Sequence, residues 1–323
     1  MTDPRRRTAR TARFAVAAVA ALALAGCSDD PEPEQGSRPV GADGSPTASA
    51  TATPGDDASA DSPAPAGSGV ELLAPGSEPR RVLELTVGQG HSEKSSAQLR
   101  LTMDLGSGRT TVPVAIPWTT TVTAADGTTV TADVVYGKPT LGPGDVPPGA
   151  EAVVGPALDL VAGTTAHVVY GRDGVPRSTA LDLGDDAPAL VARLLDNIAS
   201  QAFATSVPFP GEEVGAGARW RAETTVQVGG ATMIVTSTYD LTRLTDDGYT
   251  VEVEVEQGAT PGPAAGGGEI VESTARGSGT ITGRPDRISP VDADTRLRGS
   301  STVSIGGQEV TVSYRGTMRL LGH

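Results

Sequence analysis

The sequence predicts a mainly β (α+β) protein: two pseudo-repeats of antiparallel strands forming a curved sheet or half-barrel, packed on one or two amphipathic helices. Three observations lead there. Long stretches after residue 68 alternate apolar and polar residues with a period of two, as strands do when one face meets a core and the other water. Asp-Gly pairs, the strongest short-range hairpin signal, fall between those stretches. Helical periodicity is clear in one segment only, near the middle of the chain.

Taken in chain order, residues 1–26 read as a signal peptide. Arg5, Arg6, Arg7, Arg10 and Arg13 form a basic start, and residues 14–25 are an apolar stretch too short for an ordinary spanning helix. It ends in Leu24-Ala25-Gly26-Cys27, which holds the one cysteine of the 323-residue chain. These four residues resemble the lipobox of bacterial lipoproteins. The resemblance implies that the Cys27 thiol takes a diacylglyceryl group, that cleavage before it makes it the new N-terminus, and that the protein is lipid-anchored to the outer face of the cell membrane. A thiolate suits that alkylation, being a strong nucleophile near neutral pH.

Residues 27–67 are rich in Pro, Ala, Ser, Thr and Asp with almost no large apolar side chain. Such a stretch buries too little surface to offset its conformational entropy, so it reads as a disordered tether. Forty such residues span roughly 35 Å. The whole chain carries 25 Lys and Arg against 39 Asp and Glu, a formal charge of −14. Removal of residues 1–26 takes away five Arg and one Asp, leaving 20 basic and 38 acidic residues and a charge of −18. That average disfavours nucleic acid and anionic headgroups as direct partners. With Cys27 acylated no thiol is left for a disulfide, so stability rests on burial.

Residues 68–323 read as one β-rich domain. Tyr249, Val251, Val253 and Val255 alternate with Thr250, Glu252, Glu254 and Glu256. Val310, Val312, Tyr314, Met318 and Leu320 alternate with Thr311, Ser313, Arg315, Thr317 and Arg319, and Leu99, Leu101, Met103 and Leu105 with Arg100, Thr102 and Asp104. Asp126-Gly127, Asp173-Gly174 and Asp247-Gly248 mark hairpin turns. An offset of 121 residues lays Leu99 on Trp220, Trp118 on Tyr239 and Asp126-Gly127 on Asp247-Gly248, and a second pair of segments follows in each half, 163–183 around Asp173-Gly174 and 277–297 around Pro285-Asp286. This reads as an internal duplication, 68–184 and 206–323, with chance matching of β-rich sequence as the alternative. The joining helix, at about 186–205, is capped by Asp185 or Asp186, has Pro188 in its first turn, and carries Leu190, Val191, Leu194, Leu195, Ile198 and Ala202 on one face. A weaker helix is expected over about 148–161.

Little catalytic chemistry is legible. His91, His167 and His323 lack metal-site spacing, and no nucleophile elbow, phosphate loop or dinucleotide fingerprint occurs, so no cofactor and no metal are expected. Asp185-Asp186 and Asp246-Asp247 are accounted for as a helix cap and a turn rather than as a Ca²⁺ site. The segment Pro210-Gly211-Glu212-Glu213-Val214-Gly215-Ala216-Gly217-Ala218-Arg219-Trp220 resembles the Pro-x-x-x-Val-Gly-x-Gly-x-x-Trp stretch of an uncharacterised, domain-of-unknown-function family of actinobacterial lipoproteins. That resemblance implies address and architecture but no activity. At the level of layout alone, the chain also looks like Lol-type carriers and related mycobacterial lipoproteins that hold acyl chains between a curved sheet and helices. The expected function is therefore non-enzymatic: a lipid or other apolar small molecule bound in a sheet–helix cavity plugged by Leu190, Leu194, Leu195 and Ile198. The alternative is a structural or protein-interaction module with a solid core, using the face of Glu252, Glu254 and Glu256; a hydrolase is third. Oligomeric state is not legible.

Overall fold

Period-two alternation becomes sixteen strands among the residues that the computed structural model describes: 69–104, 108–142, 158–182, 206–228, 231–264 and 268–323. In chain order they are β1 (Gly69–Ala74), β2 (Arg81–Val82), β3 (Ser92–Asp104), β4 (Arg109–Ala125), β5 (Thr129–Tyr136), β6 (Thr140–Leu141), β7 (Thr165–Gly171), β8 (Pro176–Asp182), β9 (Glu213–Val214), β10 (Arg219–Val228), β11 (Ala231–Thr245), β12 (Gly248–Ala259), β13 (Gly262–Ala264), β14 (Gly268–Gly283), β15 (Asp292–Ile305) and β16 (Gln308–Gly322). Cys27, the tether and the helix expected at 186–205 lie outside the described residues, as does Leu105. Of the weaker helix only one helical turn, 158–161, falls within them.

All but β2 and β9 join one antiparallel sheet, whose main path runs β1-β10-β11-β12-β14-β15-β16-β3-β4-β5-β7-β8 and ends on two unpaired edges. The sheet therefore stays open. It nevertheless curls strongly, because Val122 of β4 and Val130 of β5 share one core cluster with Trp220 of β10 and Leu241 of β11, many strands away. Glycines on the inner face of the central strands permit the curl. A side chain at Gly279 would meet Asp294 O at 2.5 Å, and one at Gly299 would meet the Tyr314 ring at 2.8 Å.

The path divides into two runs of equal plan. β3-β4-β5-β7-β8 and β10-β11-β12-β14-β15 are both antiparallel meanders, and each is flanked by a strand from the opposite end of the chain, β16 beside β3 and β1 beside β10. The register corrects the offset. In β4 a bulge at Thr123 lets its hydroxyl donate to Thr131 O; in β11 a bulge at Thr242 does the same to Thr250 O. Thr123 to Thr242 and Thr131 to Thr250 are steps of 119, so Thr120, not Trp118, occupies the place of Tyr239. The Asp-Gly pairs mislead by two residues because Asp126-Gly127 lies within a three-residue turn, whereas Gly248 already begins β12 after a two-residue turn. In the longer turn the Asp126 carboxylate accepts the backbone N–H groups of Thr128 and Thr129 at 2.7 and 2.8 Å, which hold its pKa below the usual carboxylate range.

One end of the curled sheet is closed by two segments that lie across it. Residues 83–87 form an extended strap in which Leu83, Leu85 and Val87 point inward while Glu84 and Thr86 are exposed. Each apolar strap residue contributes roughly 1.5–3 kcal/mol by burial. The strap bridges the two runs: Leu85 N–H donates to Arg172 O beyond β7, and Thr86 N–H donates to Pro285 O beyond β14. Arg172 returns two bonds, to Leu85 O and Val87 O. The second segment, residues 207–218, brings Val207, Phe209, Val214 and Ala218 into the same core. Its glycines have distinct reasons: Gly215 crosses so close to Ser77 O that a Cβ would lie 1.8 Å away, and Gly217 has φ +81°. The backbone then turns into β10, where Trp220 is fully buried, stacks on Tyr239 at 5.6 Å and donates from Nε1 to Pro208 O at 2.8 Å.

At the place that Trp220 holds in the second run, opposite Tyr239, the first run has Glu93, opposite Thr120. Glu93 is 5% exposed. Its Oε1 accepts Ser289 N–H at 2.7 Å and its Oε2 accepts Arg287 Nε–H at 3.2 Å, with His91 Nε2 3.4 Å away. Arg287 also reaches the carbonyl of His323 at 3.4 Å, while His323 N–H donates to Lys94 O. The buried carboxylate thus fastens the β14–β15 loop and the last residue to β3, and its charge is compensated on both oxygens.

Two outcomes are expected. Glu93→Ala and Arg287→Ala should each lower unfolding free energy by about 3–5 kcal/mol in urea titrations, because each strands the other's charge, while Glu93→Leu/Arg287→Met should lose far less than the sum. All five tyrosines have pKa values raised by burial, Tyr136 and Tyr239 to about 12. Unfolded tyrosine ionises near 10, so this contribution is intact below pH 10 and is lost as pH rises through the folded values. In alkaline titration, phenolate absorbance should appear together with loss of β-sheet circular dichroism; an independent rise near pH 10 would contradict the burial.

Candidate functional site

Beyond the strap the same inner face continues; the helical turn at 158–161 covers it over β4, β5 and β7, where Val161 is buried with Ile116, Val134 and Val168, and Leu99 and Val114 pack against the cluster. Between β12 and β3 the face lies half-open. Its registry gives a row across six strands: Val255 (β12), Gly277 (β14), Leu297 (β15), Gly316 (β16), Leu101 (β3) and Val112 (β4). Strands lie about 4.8 Å apart, so the row measures roughly 24 Å. Val255, Leu297, Leu101 and Val112 are half-buried, as are Leu99, Met103, Val114, Tyr314 and Met318 in the adjoining rows. Residues facing the strap are by contrast almost wholly buried, as Leu241, Val251, Ala293 and Leu320 show. One face thus changes from a sealed core to a half-open apolar trough along the strands.

The floor of the trough is uneven. At Gly277 an added Cβ would meet Leu297 Cδ1 at 3.0 Å, so the leucine leans over that glycine; at Gly316 it would meet nothing within 4 Å. Between Leu297 and Leu101 there is therefore an open dip with no side chain in it. The surroundings are neutral. Tyr314 hydrogen-bonds Ser273, and burial of its phenol raises its pKa, so it stays uncharged and capable of one polar contact at the edge. A neutral, apolar, half-open surface of this size can accept a hydrocarbon chain by desolvation, at about 0.8 kcal/mol per buried methylene.

The other places of chemical interest do not converge. A polar cleft of about 290 Å³ lies between the outer side of the strap and two turns, lined by Arg81, Glu84, Asp246, Asp247, Arg284 and Asp286 among others. Its charged groups are engaged locally: Arg284 donates to both oxygens of Asp286 at 2.8 and 2.7 Å, and Arg81 donates to Asp246 O at 3.1 Å and to Thr245 O. His167 Nδ1 lies 2.7 Å from Asp133 Oδ1 on the outer face, far from His91 beside Glu93 and from His323 at the terminus. Among the described residues no three His, Cys, Asp or Glu side chains come together as a metal site would need.

Of the sequence-selected residues, Cys27, Leu190, Leu194, Leu195 and Ile198 lie outside the described residues. Glu252, Glu254 and Glu256 are exposed on the outer face of β12, as their alternation requires. Sequence reasoning missed three features. The strap's Leu-x-Leu-x-Val pattern is visible, but its crossing of the sheet is not. Glu93 carries no local signal, since its cationic partner is 194 residues away. The dip at Gly316 depends on strands β15, β16 and β3 being neighbours.

No protein-family model matches the chain, and no curated protein matches it. Among solved structures the chain is similar to an outer membrane channel from Pseudomonas putida F1, at 7% identity over 74% of this chain and 98% of that one, with a TM-score of 0.20. A likeness that weak carries no argument about fold or function.

Proposed function

We propose that the protein is a lipoprotein of the cell envelope, anchored through acylated Cys27 to the outer face of the membrane, which binds a lipid or other apolar small molecule in the trough and catalyses no reaction. The observation that supports ligand binding is the half-open apolar row from Val255 to Val112 with its dip at Gly316. A strand face left half-exposed normally carries polar residues. Here the charged residues are on the other side, and the half-open side carries Val, Leu, Met and Gly with the uncharged polar residues Gln257, Thr295 and Thr110 in the adjoining rows. Support for the address comes from the basic start, the short apolar stretch and Leu24-Ala25-Gly26-Cys27. The competing reading, a solid-cored interaction module, draws on the exposed column of Glu252, Glu254 and Glu256.

The two readings separate on one set of variants of the full chain. Gly316→Val adds a β-branched side chain where nothing obstructs it, so the urea midpoint should be unchanged or slightly raised, while uptake of a fluorescent fatty acid falls about tenfold or more. Leu101→Asp should abolish uptake at modest cost in stability, and changing all three glutamates to Ser should leave it unaltered. Solvent extraction of the purified chain followed by mass spectrometry identifies the ligand; an empty protein with no uptake would sink the carrier reading. Separately, Cys27→Ala should move the protein from the membrane to the soluble or unprocessed fraction with the same unfolding midpoint.

A further inference from the structure

The outer face of the sheet sorts its charge by strand. One cross-strand row reads Glu256 (β12), Arg276 (β14), Arg298 (β15), Arg315 (β16) and Thr102 (β3). The next reads Glu254, Ser278, Arg296, Thr317 and Arg100. Three arginines therefore stand directly opposite one another on adjacent strands, about 4.8 Å apart from strand to strand, with two more on the diagonals. Like charges placed directly opposite destabilise a sheet. Counter-charge relieves little of this: Arg276 meets Glu256 at 3.4 Å and Arg296 meets Asp294 at 3.7 Å, with the two arginine side chains 78% and 77% exposed. Arg298, Arg315 and Arg100 are exposed, and among the described residues no carboxylate lies within ion-pair distance of them.

We infer that this arginine patch docks against the phosphates of an anionic phospholipid bilayer, presenting the outer face of β14, β15, β16 and β3 to the membrane. The inference rests on the membrane address proposed above for choosing a bilayer over a free polyanion. Guanidinium groups suit phosphate because each offers parallel N–H donors, and neighbouring arginines can share one headgroup or engage adjacent ones. The chain's formal charge of −14 does not forbid this, because charges beyond about 8–10 Å are screened at physiological salt. The acidic residues next to the arginines on this face are Glu254 and Glu256 on one flank, Asp294 and Asp104, of which Glu256 and Asp294 lie within 4 Å of Arg276 and Arg296, and Asp104 within 4 Å of Arg109. The face is thus basic over three to four strands and acidic at the β12 border, which fixes which part of it can approach the membrane. The trough then opens on the opposite side, away from the headgroups.

The test is co-sedimentation of the unlipidated full chain, Cys27→Ser, with phosphatidylglycerol-containing vesicles and with phosphatidylcholine vesicles. Binding to the first and not the second is expected, and raising the salt should reverse it. Each basic side chain at an anionic surface strengthens binding about fivefold, so Arg276→Thr/Arg298→Thr/Arg315→Thr should weaken it about a hundredfold with an unchanged urea midpoint. The matching triple Lys variant should retain most of the binding. No binding to anionic vesicles, or equal binding by the Thr variant, would overturn the inference, as would capture of soluble polyphosphate without vesicle binding. Because the variant lacks Cys27, these outcomes are independent of whether the native chain is acylated, which membrane fractionation reports.

Discussion

Much of this fold depends on covering one end of an open, curled sheet, and Leu83, Leu85 and Val87 do so together with Val207, Phe209, Val214 and Ala218. A sheet whose path ends on two free edges has no ring of hydrogen bonds to keep its curvature. The strap supplies the missing cross-link. It is bonded through Leu85 to Arg172 in one run and through Thr86 to Pro285 in the other, so opening the curl requires breaking those bonds and exposing three buried side chains. Arg172 adds a further tie, because it also donates from Nε to Asp126 O at 2.8 Å. The Glu93–Arg287 contact then fastens the loop that carries Pro285, and the Trp220 side of the core is held by Pro208. The largest buried cluster gathers at the strap end, with smaller ones around Val161 and around Ile270 and Val303, and the inner face between them is half-open.

The strand pattern was legible because alternation is a local property. β12 and β16 follow their apolar and polar residues, and the turns at Asp126-Gly127, Asp173-Gly174 and Asp247-Gly248 fall between paired strands. Pairing partners were less legible. An error of two residues, 121 against 119, leaves every inward residue inward, so alternation cannot detect it. Only the bulges at Thr123 and Thr242, and the hydrogen bonds they make, distinguish the two registers. The substitution of a buried, paired carboxylate for Trp220 in the other run was hidden for a related reason: in sequence, Ser92-Glu93-Lys94-Ser95 has the composition of a solvated strand end, and what makes Glu93 buried is a loop two hundred residues later.

Charge was misleading in a different way. The formal charge of −14 describes the chain, whereas a partner meets one face within a Debye length. Read along the sequence, Glu252, Glu254 and Glu256 form an acidic strand face, while Arg276, Arg298 and Arg315 are separate residues scattered over forty positions. Strand order brings the three arginines into one row and leaves the glutamates at its border. Average composition disfavours anionic surfaces as partners, whereas the register gathers basic side chains on one face.

The two faces of β14, β15 and β16 therefore carry opposite demands on the same strands. Inward, Gly277, Gly279, Gly299 and Gly316 keep side chains away so that the sheet can bend and the trough can form; outward, Arg276, Arg296, Arg298 and Arg315 alternate with them residue by residue. The two patterns fit together physically. Bending a sheet toward its inner face spreads the side chains on its outer face, which lowers the repulsion between arginines held directly opposite one another. Glycine inside thus makes arginine outside more tolerable, and neither pattern is explained by strand propensity, which disfavours glycine in strand interiors. On this argument, filling the glycine positions that are sterically closed, Gly299 and Gly279 above all, would flatten the sheet, crowd the arginines and loosen the strap together, whereas filling Gly316 leaves all three untouched.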